Sequence, residues 1–162
     1  MLLIGNGRLV TRDDGLFIEN GAVVTNGALI QDIGTTEEMK TKYPEAEFVD
    51  ADGGVIMPGL INAHNHIYSA FARGLSIKGY NPHDFNDILE GMWWKIDRLL
   101  TKENDSLSAQ AVYVDCIKNG VTTIFDHHAS YYDIPGSLDT LADAAKGLGV
   151  RTCLCYEVSD RD

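Results

Sequence analysis

Apolar and polar positions follow two different patterns along this chain, and the change comes near residue 58. Residues 1–57 hold short apolar runs, LLI, RLV, LFI, AVV and ALIQDI, broken by Gly-Asn, Asp-Asp-Gly, Glu-Asn-Gly and Asn-Gly. Short runs between turn-forming residues predict strands, and Asn26-Gly27 between AVVT and ALIQ predicts a two-residue hairpin. One short helix is expected from Thr36 to Tyr43, capped by Thr35 or Thr36. Glu37 and Glu38 fall in its first turn, where the helix dipole favours negative charge. EFVDA and GVIM then complete a small antiparallel sheet.

After Pro58 the period lengthens. LINAH reads as a buried strand. Phe85, Ile88, Leu89, Met92, Trp93 and Ile96 follow helical spacing from about Asp84 to Leu100, with Gly91 as the weak point. A second helix runs from a Thr101 cap to Asn119, with Leu107, Ala111, Val114 and Cys116-Ile117 available for its buried stripe and Gly120 at the C′ position. VTTIFD is a strand, Ser137 to Leu148 a helix stopped by Gly149, and VRTCLCYEV a strand. Strands alternating with helices predict a parallel α/β sheet. The expected division is 1–57 and 58–162. Three parallel strands do not close a barrel of eight, so the chain reads as the N-terminal portion of something longer, inactive and unstable alone.

Composition narrows the function classes. The chain has 162 residues, 44% hydrophobic and 23% charged, which suits a globular protein with a sizeable core. No apolar run approaches the roughly 20 residues that span a bilayer, and Gly5, Asn6 and Arg8 interrupt any signal-peptide core. The expected location is cytoplasmic. A formal charge of −11 argues against nucleic-acid and anionic-membrane partners. Three cysteines make no disulfide framework. Cys153, Cys155 and Cys116 are expected as small buried core residues.

The candidate chemistry lies in PGLINAHNH, residues 58–66. Side chains alternate along a strand, so His64 and His66 share a face and stand about 6 to 7 Å apart along the backbone. Two imidazoles so placed can reach one ion. Asp126, His127 and His128 sit at the C-terminal end of the next strand, the active-site end of an α/β barrel. Alternation lets only one of His127 and His128 face that site. Tyr68, Phe71 and Arg73 come after the pair in IYSAFARGL, and Arg73 is suited to gripping a carboxylate or ring carbonyl. Of Trp93 and Trp94, one packs inward and the other reaches a pocket rim, where an aromatic wall suits a planar heterocycle. His83, after Asn81-Pro82, is expected in solvent.

GGVIMPGLINAHNH and KNGVTTIFDHHAS resemble the first and second barrel strands of the amidohydrolase superfamily of metal-dependent hydrolases. HNHIYSAFARGLSIKGYNP, MWWKIDRLL and CLCYEVSDRD bring the chain closer to its SsnA-type aminohydrolases. The resemblance implies the first part, about three strands, of a (β/α)8 TIM barrel preceded by a small, incomplete β-sandwich domain. It implies one divalent metal, zinc first and iron second, held by His64 and His66. It places the remaining ligands, histidines from the fifth and sixth strands and an aspartate from the eighth, beyond Asp162. The candidate substrate contacts are Tyr68, Arg73, Trp93, His127 and His128. A homo-oligomer acting on a small molecule is expected.

A metal makes water nucleophilic at neutral pH and polarises an electrophile. The expected reaction is hydrolysis of a non-peptide carbon–nitrogen bond in a cyclic or amidine-like molecule. Dechlorination and N-acyl cleavage are alternatives from the same superfamily. From other classes come a non-catalytic remnant or split-enzyme subunit, and a ligand-binding β-sheet module.

Overall fold

The structure, a computed structural model, describes residues 1–11, 15 and 17–161. The expected turn at Asp13-Asp14 and the first residue of LFI, Leu16, lie outside the described residues. The chain divides into two compact units, Met1–Pro58 and Gly59–Asp162.

In the first unit the apolar runs merge into longer strands: β1 (Leu2–Val10), β2 (Phe17–Asn26), β3 (Leu29–Thr35), β4 (Glu47–Asp50) and β5 (Val55–Ile56). Gly-Asn and Asn-Gly inside β1 and β2 do not end them. Asn6 and Asn20 take φ values of 57° and 47°, and the β1–β2 register shifts between Ile4 and Gly7 and again between Gly7 and Leu9. Asparagine tolerates this left-handed backbone, so these turn signals become bulges. The β2–β3 hairpin forms as expected, with Asn26 paired to Leu29 and Gly27 at φ 60°. The antiparallel expectation for β4 and β5 is corrected: both pair parallel with β1. Helix α1 (Thr36–Lys42) starts in a full capping box between Thr35 and Glu38. Its Met39 meets Leu3, Ala22 and Val24 in the core. The sheet also bears an apolar groove of about 570 Å³ that includes Leu9, Val23, Ile30, Ile33, Ile56 and Met57.

The second unit is a three-stranded parallel sheet in the order β6 (Leu60–Asn65), β7 (Val121–His128), β8 (Arg151–Tyr156). Helix α4 (Lys102–Lys118) leads into β7, and α5 (Ser137–Leu148) into β8. Thr101 and Asn104 cap α4 reciprocally. Gly120 and Gly149, at φ 72° and 76°, supply the left-handed stops that α4 and α5 need. Ile67, Tyr113, Ile124, Leu141 and Val150 form the main core.

Four expectations for this unit are corrected. The helix expected over 84–100 is α2 (Phe85–Ile88), a π turn (Leu89–Trp93) and α3 (Trp94–Asp97). Gly91 sits so close to Tyr80 that a Cβ there would lie 2.6 Å from the ring, and the π turn's extra residue resets the helical phase of α3. Helix α4 buries Ser108, Ala109, Val112, Tyr113 and Cys116, while Leu107, Val114 and Ile117 are exposed. The small residues let it approach closely, and the Tyr113 hydroxyl donates to the Leu141 carbonyl. Leu60 and Ile61 of β6 are exposed, as an edge strand allows. Cys153 and Cys155 are exposed on β8; only Cys116 is buried. Among the described residues, no helix is long and apolar enough to cross a membrane.

Candidate metal centre and substrate cavity

His64 and His66 stand at the end of β6, where the register with β7 shifts between Asn62 and Asn65. There Asn65 Oδ1 accepts from the His66 N–H at 2.9 Å. The two rings meet edge to face with Nε2 atoms 3.0 Å apart. His66 Nδ1 lies 2.9 Å from the His127 carbonyl oxygen. A carbonyl only accepts, so Nδ1 carries a proton, which leaves Nε2 as the ring nitrogen that faces His64 and is free to act as a ligand. One of the two rings must donate to the other, or both lone pairs must share a cation. The donor set, neutral imidazole nitrogen with the opposite nitrogen fixed on a backbone carbonyl, fits a divalent metal such as zinc. Among the described residues no group of three or more His, Cys, Asp or Glu side chains is placed to hold a metal.

Two cavities share this pair. One of about 420 Å³ lies against Phe125, Asp126, His127, Cys153 and Cys155. The other, about 570 Å³, reaches Tyr68, Ser69, Phe85, Leu89, Trp93 and Glu157. Tyr68 and Trp93 meet edge to face at 6.0 Å and give that cavity an aromatic wall. Burial pushes the Tyr68 phenol well above its usual range, and the negative charges of Asp97 and Glu157 add to the effect. The phenol therefore stays a hydrogen-bond donor at neutral pH.

Alternation sorts the end of β7. His127 lines both cavities, its ring 5.5 Å from that of His66. Asp126 and His128 are buried, Asp126 bordering the smaller cavity and His128 neither. Asp126 Oδ1 accepts the Ile67 N–H at 2.6 Å. Burial pushes its carboxyl up to about 6, against the opposing pull of that N–H. His128 is corrected as a substrate contact: its ring is fully buried, with Nε2 3.0 Å from Ser130 Oγ and 3.5 Å from Asp105 Oδ2. Arg73 is corrected too. It lies outside both cavities, paired with Asp115 on α4 at 2.6 Å. His83 is exposed. Glu157, the acidic residue among the described lining of the larger cavity, was not among the expected site residues. Its signal was a lone acid directly after an apolar strand, in YEV.

Comparison with known proteins shows what the chain is similar to. Residues 55–162 match the amidohydrolase family. The 5′-deoxyadenosine deaminase of Methanosarcina barkeri is 29% identical over 156 residues, which cover 96% of this chain and 33% of the relative. The 8-oxoguanine deaminase of Pseudomonas aeruginosa is 29% identical over 156 residues, covering 93% and 33%. Among solved structures, atrazine chlorohydrolase from Arthrobacter aurescens TC1 complexed with zinc superimposes with TM-score 0.74 at 25% identity, over 96% of this chain and 35% of that one. E. coli guanine deaminase shares the fold with TM-score 0.80 at 20% identity, over 100% of this chain and 38% of its own. The chain thus spans about a third of the length of the curated relatives it matches. Its parallel strands and helices are the first part of a (β/α)8 barrel, and the chain belongs to the amidohydrolase family.

Proposed function

We propose that His64 and His66 contribute two ligands to one divalent metal, zinc before iron, in an aminohydrolase. Its substrate would be a cyclic or amidine-like small molecule carrying an exocyclic carbon–nitrogen bond. The observation that carries the reading is the 3.0 Å approach of the two Nε2 atoms, with His66 held in the right tautomer by the His127 carbonyl. When bound, the metal supplies a nucleophilic water at neutral pH and polarises the electrophilic carbon. The remaining ligands and the proton-shuttling acid are taken to lie outside these 162 residues.

The chain's own part is to bind and orient. Trp93 and Tyr68 give a planar ring an apolar wall. His127 borders both cavities beside the ligand pair and is assigned a substrate contact. The residues Met1–Pro58 are read as part of a small β-sandwich domain and Gly59–Asp162 as the first barrel units. The whole is read as a cytoplasmic homo-oligomer. Hydrolytic dechlorination is the second reading, favoured by the likeness to the zinc-complexed atrazine chlorohydrolase.

Elemental analysis of a full-length protein that carries the remaining ligands tests the metal assignment. One metal per chain is expected in the wild type, falling more than about tenfold in His64→Ala and His66→Ala, since a direct ligand matters at least as much as its supporting partners. Equal metal in all three would refute it.

A further inference from the structure

Glu157 faces the larger cavity, and the metal assignment gives it no task. It comes directly after β8, and its N–H donates to the His128 carbonyl at 2.8 Å, extending the β7–β8 ladder by one step. Its backbone is therefore as fixed as the strand. Among the described residues, its hydrogen bonds fall on one oxygen. The Tyr131 hydroxyl and Arg161 Nε both donate to Oε1, at 3.2 and 3.1 Å, and neither bond falls on Oε2. Arg161 is itself locked. It forms a two-pronged pair with the buried Asp97, at 2.7 and 3.3 Å. Its guanidinium also lies over the Tyr131 and Trp94 rings, 4.2 and 5.1 Å from their centroids.

Arg161 gives its two-pronged fork to Asp97 and only its Nε to Glu157. Among the described residues that line the cavity, none is a lysine or arginine, and Glu157 is the acidic one. A carboxylate accepts and does not donate, and its hydrogen bonds from N–H groups beside positive charge are among the strong ones. Phe85, Leu89, Trp93 and Tyr68 supply the flat apolar surface beside it.

We infer that Glu157 orients the substrate, its Oε2 accepting N–H donors from an amidine or guanidine edge of a planar nitrogen-rich ring that lies along Trp93 and Tyr68. The inference rests on the proposed reading of this cavity as the substrate site. It assigns recognition to the third strand's end, where the residue acts on the ligand and not on the metal. The Arg161–Asp97 pair keeps Glu157 in place.

Calorimetric binding of three small probes tests this without turnover. Benzamidine is planar and carries two N–H-bearing nitrogens beside positive charge. Acetophenone has similar shape and no N–H, and phenyltrimethylammonium has the charge and no N–H. The wild type is expected to prefer benzamidine to both. Glu157→Gln, which keeps an acceptor for Tyr131 and Arg161, should weaken benzamidine about ten- to hundredfold, the size of a hydrogen bond to a charged group. Acetophenone affinity and the melting temperature should be unchanged. A wild type with no preference for benzamidine, a variant with undiminished affinity, or an equal loss for acetophenone would each overturn the inference. None of these outcomes touches the metal assignment, because metal content in His64→Ala is measured separately. Loss of metal in that variant with benzamidine preference intact would show the two claims standing apart.

Discussion

At the scale of single residues, His66 takes its orientation from a backbone atom of its neighbour. The His127 carbonyl fixes the His66 proton on Nδ1, and a carbonyl survives any side-chain change. His127→Ala should therefore keep its metal to within about twofold, far short of the tenfold or greater loss expected when a ligand or the side chain supporting it is removed. Elemental analysis of that variant beside His66→Ala checks the distinction. Asp126 makes a different prediction. Its folded pKa, about 6, lies above the unfolded value of roughly 3.9, so the folded state binds this proton more tightly. That contribution is fully present below about pH 4 and is lost as pH rises through about 6. Asp126→Asn still accepts the Ile67 N–H and carries no charge to bury. Urea unfolding of metal-free protein should show the variant gaining on the wild type by on the order of 1–3 kcal/mol between about pH 4 and pH 8. A constant difference across that range would contradict the assignment.

At the scale of elements, what was legible in the sequence was what local chemistry decides. Thr35 and Thr101 cap their helices, and Gly149 stops α5 at Leu148, as expected from spacing alone; the answering bonds from Glu38 and Asn104 are findings of the structure. Thr101→Ala should cost about 1 kcal/mol through the lost cap, a fall of roughly 2–4 °C in melting temperature by calorimetry. An unchanged melting temperature would mean that the cap is replaced. The missed features were decided at a distance. Helix α4 carries apolar residues on two faces, and contact with α5 and β7 selected the face of Ser108, Ala109 and Val112 over that of Leu107 and Val114. Nothing in EFVDA or GVIM says whether the strand it joins runs parallel. The histidine pair was legible because strand alternation is local. Arg73 was misread because its partner, Asp115, lies 42 residues away.

At the scale of the whole molecule, much apolar surface is left in water. Leu29, Ile30 and Val55 in the first unit are 72%, 69% and 60% exposed, far more than a packed sheet face leaves. In the second unit, β6 and β8 each have one edge without a strand partner among the described residues. Unpaired edges beside exposed Leu60 and Ile61 are templates for another chain. Residues 1–162 in isolation should therefore self-associate in a concentration-dependent way in sedimentation velocity. A monodisperse monomer at every concentration would contradict this.

Whether His64 and His66 meet on one metal through Nε2 is decided most directly by zinc titration read through the imidazole nitrogen resonances. The Nε2 signals of His64 and His66 should move together and saturate at one zinc per chain, while His66 Nδ1 keeps its proton on the His127 carbonyl. Zinc shifts confined to His83 or His127, or a His66 ring that responds through Nδ1, would contradict the shared site.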